Sequence, residues 1–87
     1  MEIKHIKSDK ITVVLTCSRY NTGINAFEEY QETVVFSDCG RTMFFNGRNW
    51  WVTNVVELQI GKELTVNYVN RGDVRCLYGK VESFKVE

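Results

Sequence analysis

The sequence predicts an all-β fold: a small antiparallel barrel or a two-layer sandwich of five to seven strands, in a single domain covering residues 1-87. Three observations carry that expectation. Apolar residues recur at a spacing of two almost throughout, enriched in β-branched and aromatic types, as in strands with one buried face. An Asn-Gly pair joins two aromatic runs, a strong short-range hairpin signal. Short turns rich in Gly and Asn separate the other runs. A chain of 87 residues with 44% hydrophobic content has room for one core, burying roughly 64% of its unfolded surface.

The first strand lies within Lys10 to Tyr20, where Ile11, Val13, Leu15 and Cys17 alternate with Thr12, Val14, Thr16 and Ser18, the first set forming the core face. The next segment reads two ways. Asn25 and Glu28 have capping-box spacing, and Ile24, Phe27 and Tyr30 lie three apart, as in a short helix over 25–31. Tyr30, Val34 and Phe36 instead share one face of a strand over about 28–37, entered through a hairpin at Asn21-Thr22-Gly23. The strand is the preferred reading, because it also accounts for the flanking residues. Ser37-Asp38-Cys39-Gly40 has turn composition. Thr42 to Phe45 and Arg48 to Val52 then form a hairpin, since Asn46-Gly47 supplies the positive φ that a type I′ turn requires at both central positions.

Gln59 to Glu63, with Gly61, turns the chain into Leu64, Val66 and Tyr68, which alternate with Thr65 and Asn67. Asn70-Arg71-Gly72-Asp73 turns it again. Val74, Cys76 and Tyr78 alternate with Arg75 and Leu77, and Gly79 marks a bulge or bend before Val81 to Val86. This stretch from Val55 to Val86 runs from an apolar lead-in through a Gly-containing turn, a strand and a polar turn to a Gly-bent final strand. In that pattern it resembles the last two strands of an OB-type barrel, including those of small single-strand-binding proteins. The resemblance covers about a third of the chain, through pattern and not signature residues, and implies an OB-like barrel.

The chain is neutral, with 11 basic and 11 acidic residues, but the charge is segmented. Lys4, Lys7, Lys10 and Arg19 outweigh Glu2 and Asp9 in the first 19 residues; residues 20–40 hold only Glu28, Glu29, Glu32 and Asp38; residues 41–56 hold only Arg41 and Arg48. Neutrality argues against the broad phosphate footprint of a strongly basic binder. No apolar run approaches the roughly 18 residues of a membrane span, and no apolar stretch behind the early lysines resembles a signal peptide. A cytoplasmic protein without membrane contact is expected. Cys17, Cys39 and Cys76 are odd in number and lack a CxxC pair, so reduced thiols are expected. With His5 they match the ligand number of a zinc site but not its short ligand spacings, and neither metal nor cofactor is expected.

The richest constellation is residues 41–52. Phe44-Phe45 and Trp50-Trp51 are adjacent pairs, and neighbours on a strand point to opposite faces, so one Phe and one Trp face outward unless the sheet is covered on both sides. Arg41 and Arg48 accompany them in an 18-residue window, Cys39 to Val56, that has no carboxylate. A π-face and a cation are what base stacking and phosphate contact need, and Trp and Arg are equally the residues of protein hot spots. Arg19, Tyr20, Tyr68, Arg71, Arg75, Tyr78 and Lys80 extend such a surface if the fold brings their strands alongside. No nucleophile is accompanied by an organised base, and the glycines form neither a P-loop nor a dinucleotide fingerprint, so an enzyme is not expected.

The sequence thus points to a small non-enzymatic binding protein that contacts single-stranded nucleic acid, RNA or DNA, through an aromatic-basic sheet face. The candidate residues are Arg41, Phe45, Arg48, Trp50, Trp51, Tyr68 and Arg75. The alternative is a protein-binding inhibitor, adaptor or antitoxin-like accessory factor, of the kind phages often encode, using the aromatic hairpin or the acidic segment. Self-association is compatible with either.

Overall fold

The computed structural model describes Ile3 and residues 10–87. His5, Lys4 and Lys7 lie outside the described residues. Six strands follow one another: β1 (Lys10–Asn21), β2 (Ala26–Ser37), β3 (Thr42–Phe45), β4 (Arg48–Val52), β5 (Glu63–Asn70) and β6 (Asp73–Val86), with a 3-10 turn at Asp38–Gly40. Each pairs antiparallel with its neighbour in sequence and β6 returns to β1, closing a barrel. Of the architectures read from the sequence, the small antiparallel barrel is the one adopted. Its order is sequential all the way round, whereas an OB barrel has five strands in a Greek key. The likeness noted over Val55 to Val86 is therefore that of one hairpin, β5–β6. Among the described residues no helix is long and apolar enough to cross a membrane.

The barrel is built from three hairpin ribbons. β1 and β2 pair without interruption from Lys10↔Ser37 to Asn21↔Ala26. That ladder settles the ambiguous segment: residues 26–37 are strand, because pairing with β1 satisfies their backbone, and Asn25 serves the turn with a positive φ of 53° instead of capping a helix. Asn21 shapes the same turn through its Oδ1, which accepts from Gly23 N–H at 2.9 Å. β3 and β4 pair from Thr42↔Trp51 to Phe45↔Arg48 across Asn46 and Gly47, at φ 52° and 74°, the conformation their sequence prescribes. β5 and β6 pair from Glu63↔Lys80 to Asn70↔Asp73.

Between ribbons the ladders are short. β2 meets β3 only at Val35, Phe36 and Ser37, and β4 meets β5 only through Trp51↔Val69 and Val52↔Tyr68. β6 meets β1 over Ile11 to Thr16, with a bulge where Val14 faces Ser83 and Leu15 faces Val81, leaving Glu82 as the extra residue. Its carboxylate accepts from Thr16 Oγ1 at 2.6 Å. The β1–β2 ribbon thus outruns both neighbours and stands out as an arm, in keeping with extents of 43 × 31 × 19 Å.

Alternation fills the interior as the sequence implies for β1, where Ile11, Val13, Leu15 and Cys17 are all buried. Phe36 and Val34 meet them from β2, and Met43 and Val66 from β3 and β5, all fully buried. Ile3, Val56 and Leu58 join this core from outside the strands, held where Ile3 N–H donates to the Val56 carbonyl at 2.9 Å. On β6 it is Leu77, Gly79 and Val81 that are buried, with Arg75 in register on the same face but exposed beyond the core, while Val74, Cys76 and Tyr78 are exposed on the other face.

Gly79 sits where β6 passes closest to β1. A Cβ placed there lies 2.9 Å from Cys17 Sγ, 3.1 Å from the Thr16 carbonyl oxygen and 3.3 Å from Leu15 Cβ. Because backbone cannot give way cheaply, Gly79→Ala is expected to destabilise the fold by about 1 to 3 kcal/mol, read as a lower midpoint in urea at unchanged m-value. A variant as stable as the wild type would contradict this close approach.

Candidate binding surface at the open side of the barrel

Along β1 and β2 the inward face changes chemistry partway. On β1 it runs Ile11, Val13, Leu15, Cys17 and then Arg19; on β2 the facing residues are Phe36, Val34, Glu32, Tyr30 and Glu28. A charge cannot enter the core without full compensation, so the buried positions end at Cys17 on β1 and at Val34 on β2, and the ribbon continues with a polar concave face. Arg19 Nε donates to Glu28 Oε1 at 2.8 Å, and its guanidinium lies 4.9 Å from the Tyr30 ring centre. Hydrogen bonds from Asn21 and from Arg19 hold the Glu28 carboxyl below the ordinary glutamate range. Burial, and then Glu32, push the Cys17 thiol upward against a hydrogen bond with Tyr30.

Facing this arm is an aromatic wall. Trp50 and Tyr68 meet edge to face with ring centres 4.8 Å apart, and Phe45 and Tyr68 do so at 6.1 Å. Trp50 Nε1 donates to the Phe45 carbonyl at 3.2 Å, fixing the indole across its own hairpin. Burial also raises the Tyr68 phenol above its ordinary range. Arg48 lies 5.7 Å from the Trp50 ring centre and 3.7 Å from Asp73 Oδ2. Arg75 stands opposite Tyr68 on β6 and has no ion-pair partner among the described residues. Arg48, Arg75, Trp50, Tyr68 and Asn46 border a shallow cavity of about 320 Å³. Beside it Arg48, Asn70, Arg71 and Asp73 border another, of about 480 Å³.

The adjacent aromatic pairs do split between faces. Phe45 is half-buried and Trp50 is 6% exposed, whereas Phe44 and Trp51 are outward, 49% and 54% exposed. One Phe and one Trp thus face outward, and they are Phe44 and Trp51, which offer open ring faces; Phe45 and Trp50, both among the candidate contact residues, build the wall instead. Trp51 pairs with Val69, which pairs with the 75% exposed Val74. Trp51, Asn49, Asn70 and Arg71 share a groove on this outer side.

Five of the seven residues picked from sequence, Phe45, Arg48, Trp50, Tyr68 and Arg75, thus gather at the open side, and Trp51 lies just over the rim. Arg41 does not join them. It sits at the far end of the β3–β4 ribbon from Arg48, beside Ile3 and Val52, where its carbonyl accepts from Val52 N–H at 2.7 Å. Two residues of the surface were not among the seven: Phe44, and Arg71, which the sequence offered only among the residues that would extend it. The Asn70-Arg71-Gly72-Asp73 turn signal was the available clue to Arg71, because a tight turn there must carry its arginine to the same end of the sheet as the Asn46-Gly47 turn.

Cys17 lies buried behind this surface, and Cys39 and Cys76 are exposed. In the native protein a thiol-specific disulfide reagent is expected to modify Cys39 and Cys76 promptly, and Cys17 only after unfolding, because burial and Glu32 both oppose its thiolate. Prompt reaction of all three would contradict the placement of Cys17.

Compared with known proteins, the chain matches no family model, no curated protein and no solved structure.

Proposed function

We propose that this barrel binds single-stranded nucleic acid at the rim between its β3–β4 and β5–β6 turns. The observation that carries the reading is the convergence of Arg48, Arg71 and Arg75 around two adjoining hollows, with Trp51 open beside them. Guanidiniums supply phosphate contact, and Trp51 and Phe44 supply ring faces on which bases of any identity stack. Asp73 borders one hollow and sits near Arg48, but both side chains are more than half exposed, so that pair is weak and open to exchange for a phosphate. Trp50, Phe45 and Tyr68 act beneath the surface, holding Arg48 and the hairpin in place. Three free cysteines, two of them exposed, suit a reducing cytoplasm.

Trp50 and Trp51 are the only tryptophans, so intrinsic fluorescence reports on the rim directly. Oligo-dT or oligo-U is expected to quench it at 50 mM salt, and three phosphate contacts on a single strand imply an affinity about 20-fold lower at 200 mM. Trp51→Ala is expected to cost about 1 to 3 kcal/mol of binding without loss of stability, since Trp51 is an outward side chain. Absence of any emission change with either oligomer at low salt would sink the proposal.

A further inference from the structure

One side of β2 carries no strand over most of its length among the described residues. β1 occupies the other side throughout, but β3 pairs only with Val35, Phe36 and Ser37. Among the described residues no further strand is paired to it from Ala26 to Val34, so alternate backbone N–H and C=O groups there lack a strand partner, a template for another strand. The sequence of this edge, with Phe27, Tyr30, Thr33 and Val34, favours extended pairing.

The side chains flanking the edge determine what can join it. Glu28, Tyr30 and Glu32 lie on the concave side, and Phe27, Glu29, Gln31 and Thr33 on the outer side. Arg19 and Asn21 already engage Glu28, while Glu29 and Glu32 hold no ion pair among the described residues. A second copy pairing antiparallel about Tyr30 would set Glu28 of one copy against Glu32 of the other, and like charges directly opposite are destabilising. A polyanion is repelled for the same reason. At the end of the arm Tyr20, Ile24 and Phe27 are exposed, with Tyr20 and Phe27 in edge-to-face contact at 5.2 Å, so an apolar anchor stands next to the acidic edge.

We propose that the β2 edge over residues 26–34 captures an extended basic segment of another protein as an added strand. That segment carries Lys or Arg beside Glu29 and Glu32, an apolar residue beside Tyr30, and a further apolar residue that reaches Phe27. Main-chain hydrogen bonds supply the affinity, and the alternating acidic and aromatic sites supply the selection. This inference does not rest on nucleic-acid binding at the rim.

The test uses the full chain and a labelled peptide, Val-Thr-Lys-Thr-Val-Lys-Thr-Ile, written to run antiparallel to the edge. Fluorescence anisotropy at 50 mM salt is expected to show binding, with amide exchange slowed within residues 26–34. Methylating alternate peptide nitrogens, or replacing both lysines with glutamate, is expected to weaken binding at least about tenfold. The protein variant Glu29→Lys with Glu32→Lys is expected to do the same while keeping the wild-type circular dichroism. The peptide variants leave the protein untouched, so their result stands even if that variant fails to fold. Equal binding of the N-methylated peptide would reduce the contact to loose charge attraction and overturn the proposal. So would absence of binding, or protection located elsewhere. Protection of the same amides by raised protein concentration alone would name a second copy as the occupant and overturn it as well.

Discussion

The inward faces of β1 and β2 turn from apolar to charged within two rungs, and that change decides where the barrel stops being closed. Up to Cys17 on β1 and Val34 on β2 the facing side chains are buried, and the ribbons are drawn together around Phe36, Met43 and Val66. Beyond them Glu32, Arg19 and Glu28 face the same way, and a carboxylate or guanidinium removed from water costs several kcal/mol unless fully compensated. Closing further would enclose them. The ribbon diverges instead, leaving two strand edges unpaired and one side of the interior open.

Most of the chemistry of the candidate surface follows from that divergence. The aromatic wall of Phe45, Trp50 and Tyr68 is packed against the core but lies next to water, so it can support cations at its border. The two ends carry opposite charge balances: Glu28, Glu29 and Glu32 outnumber Arg19 on the arm, and Arg48, Arg71 and Arg75 outnumber Asp73 around the two tight turns. Net neutrality is therefore the sum of two surfaces of opposite charge, which is how a chain with no overall basic character can hold a cationic patch.

Local signals in the sequence were readable where a residue type is tied to a backbone shape. Asn46-Gly47 announces its hairpin because few residues tolerate two successive positive φ angles. β1 was readable because Ile11, Val13, Leu15 and Cys17 differ in polarity from most of their neighbours. The segment after Asn25 was not, since the spacing Asn25 to Glu28 serves a helix cap and a hairpin turn alike, and the twelve-residue ladder with β1 decides between them. Nor could the phase of Phe44-Phe45 and Trp50-Trp51 be read, because both faces there have the same chemistry; pairing with β2 and β5 sets it. Arg75 in register with the inward face, and the bare edge of β2, are likewise properties of pairings between distant residues that no local pattern encodes.

Sequential strand order has a kinetic side. Every ladder except β1–β6 joins strands adjacent in the chain, so most pairing closes short loops at small entropic cost. The β1–β6 ladder alone must bring the two extremities of the barrel together, ending with Glu87 N–H donating to the Lys10 carbonyl at 3.0 Å. Ring closure is thus the step with the highest contact order. Until it occurs, β1 and β6 both expose free edges, and the close fit at Gly79 and the bulge at Glu82 act as the register marks that tell a correctly closed ring from one slipped by a residue.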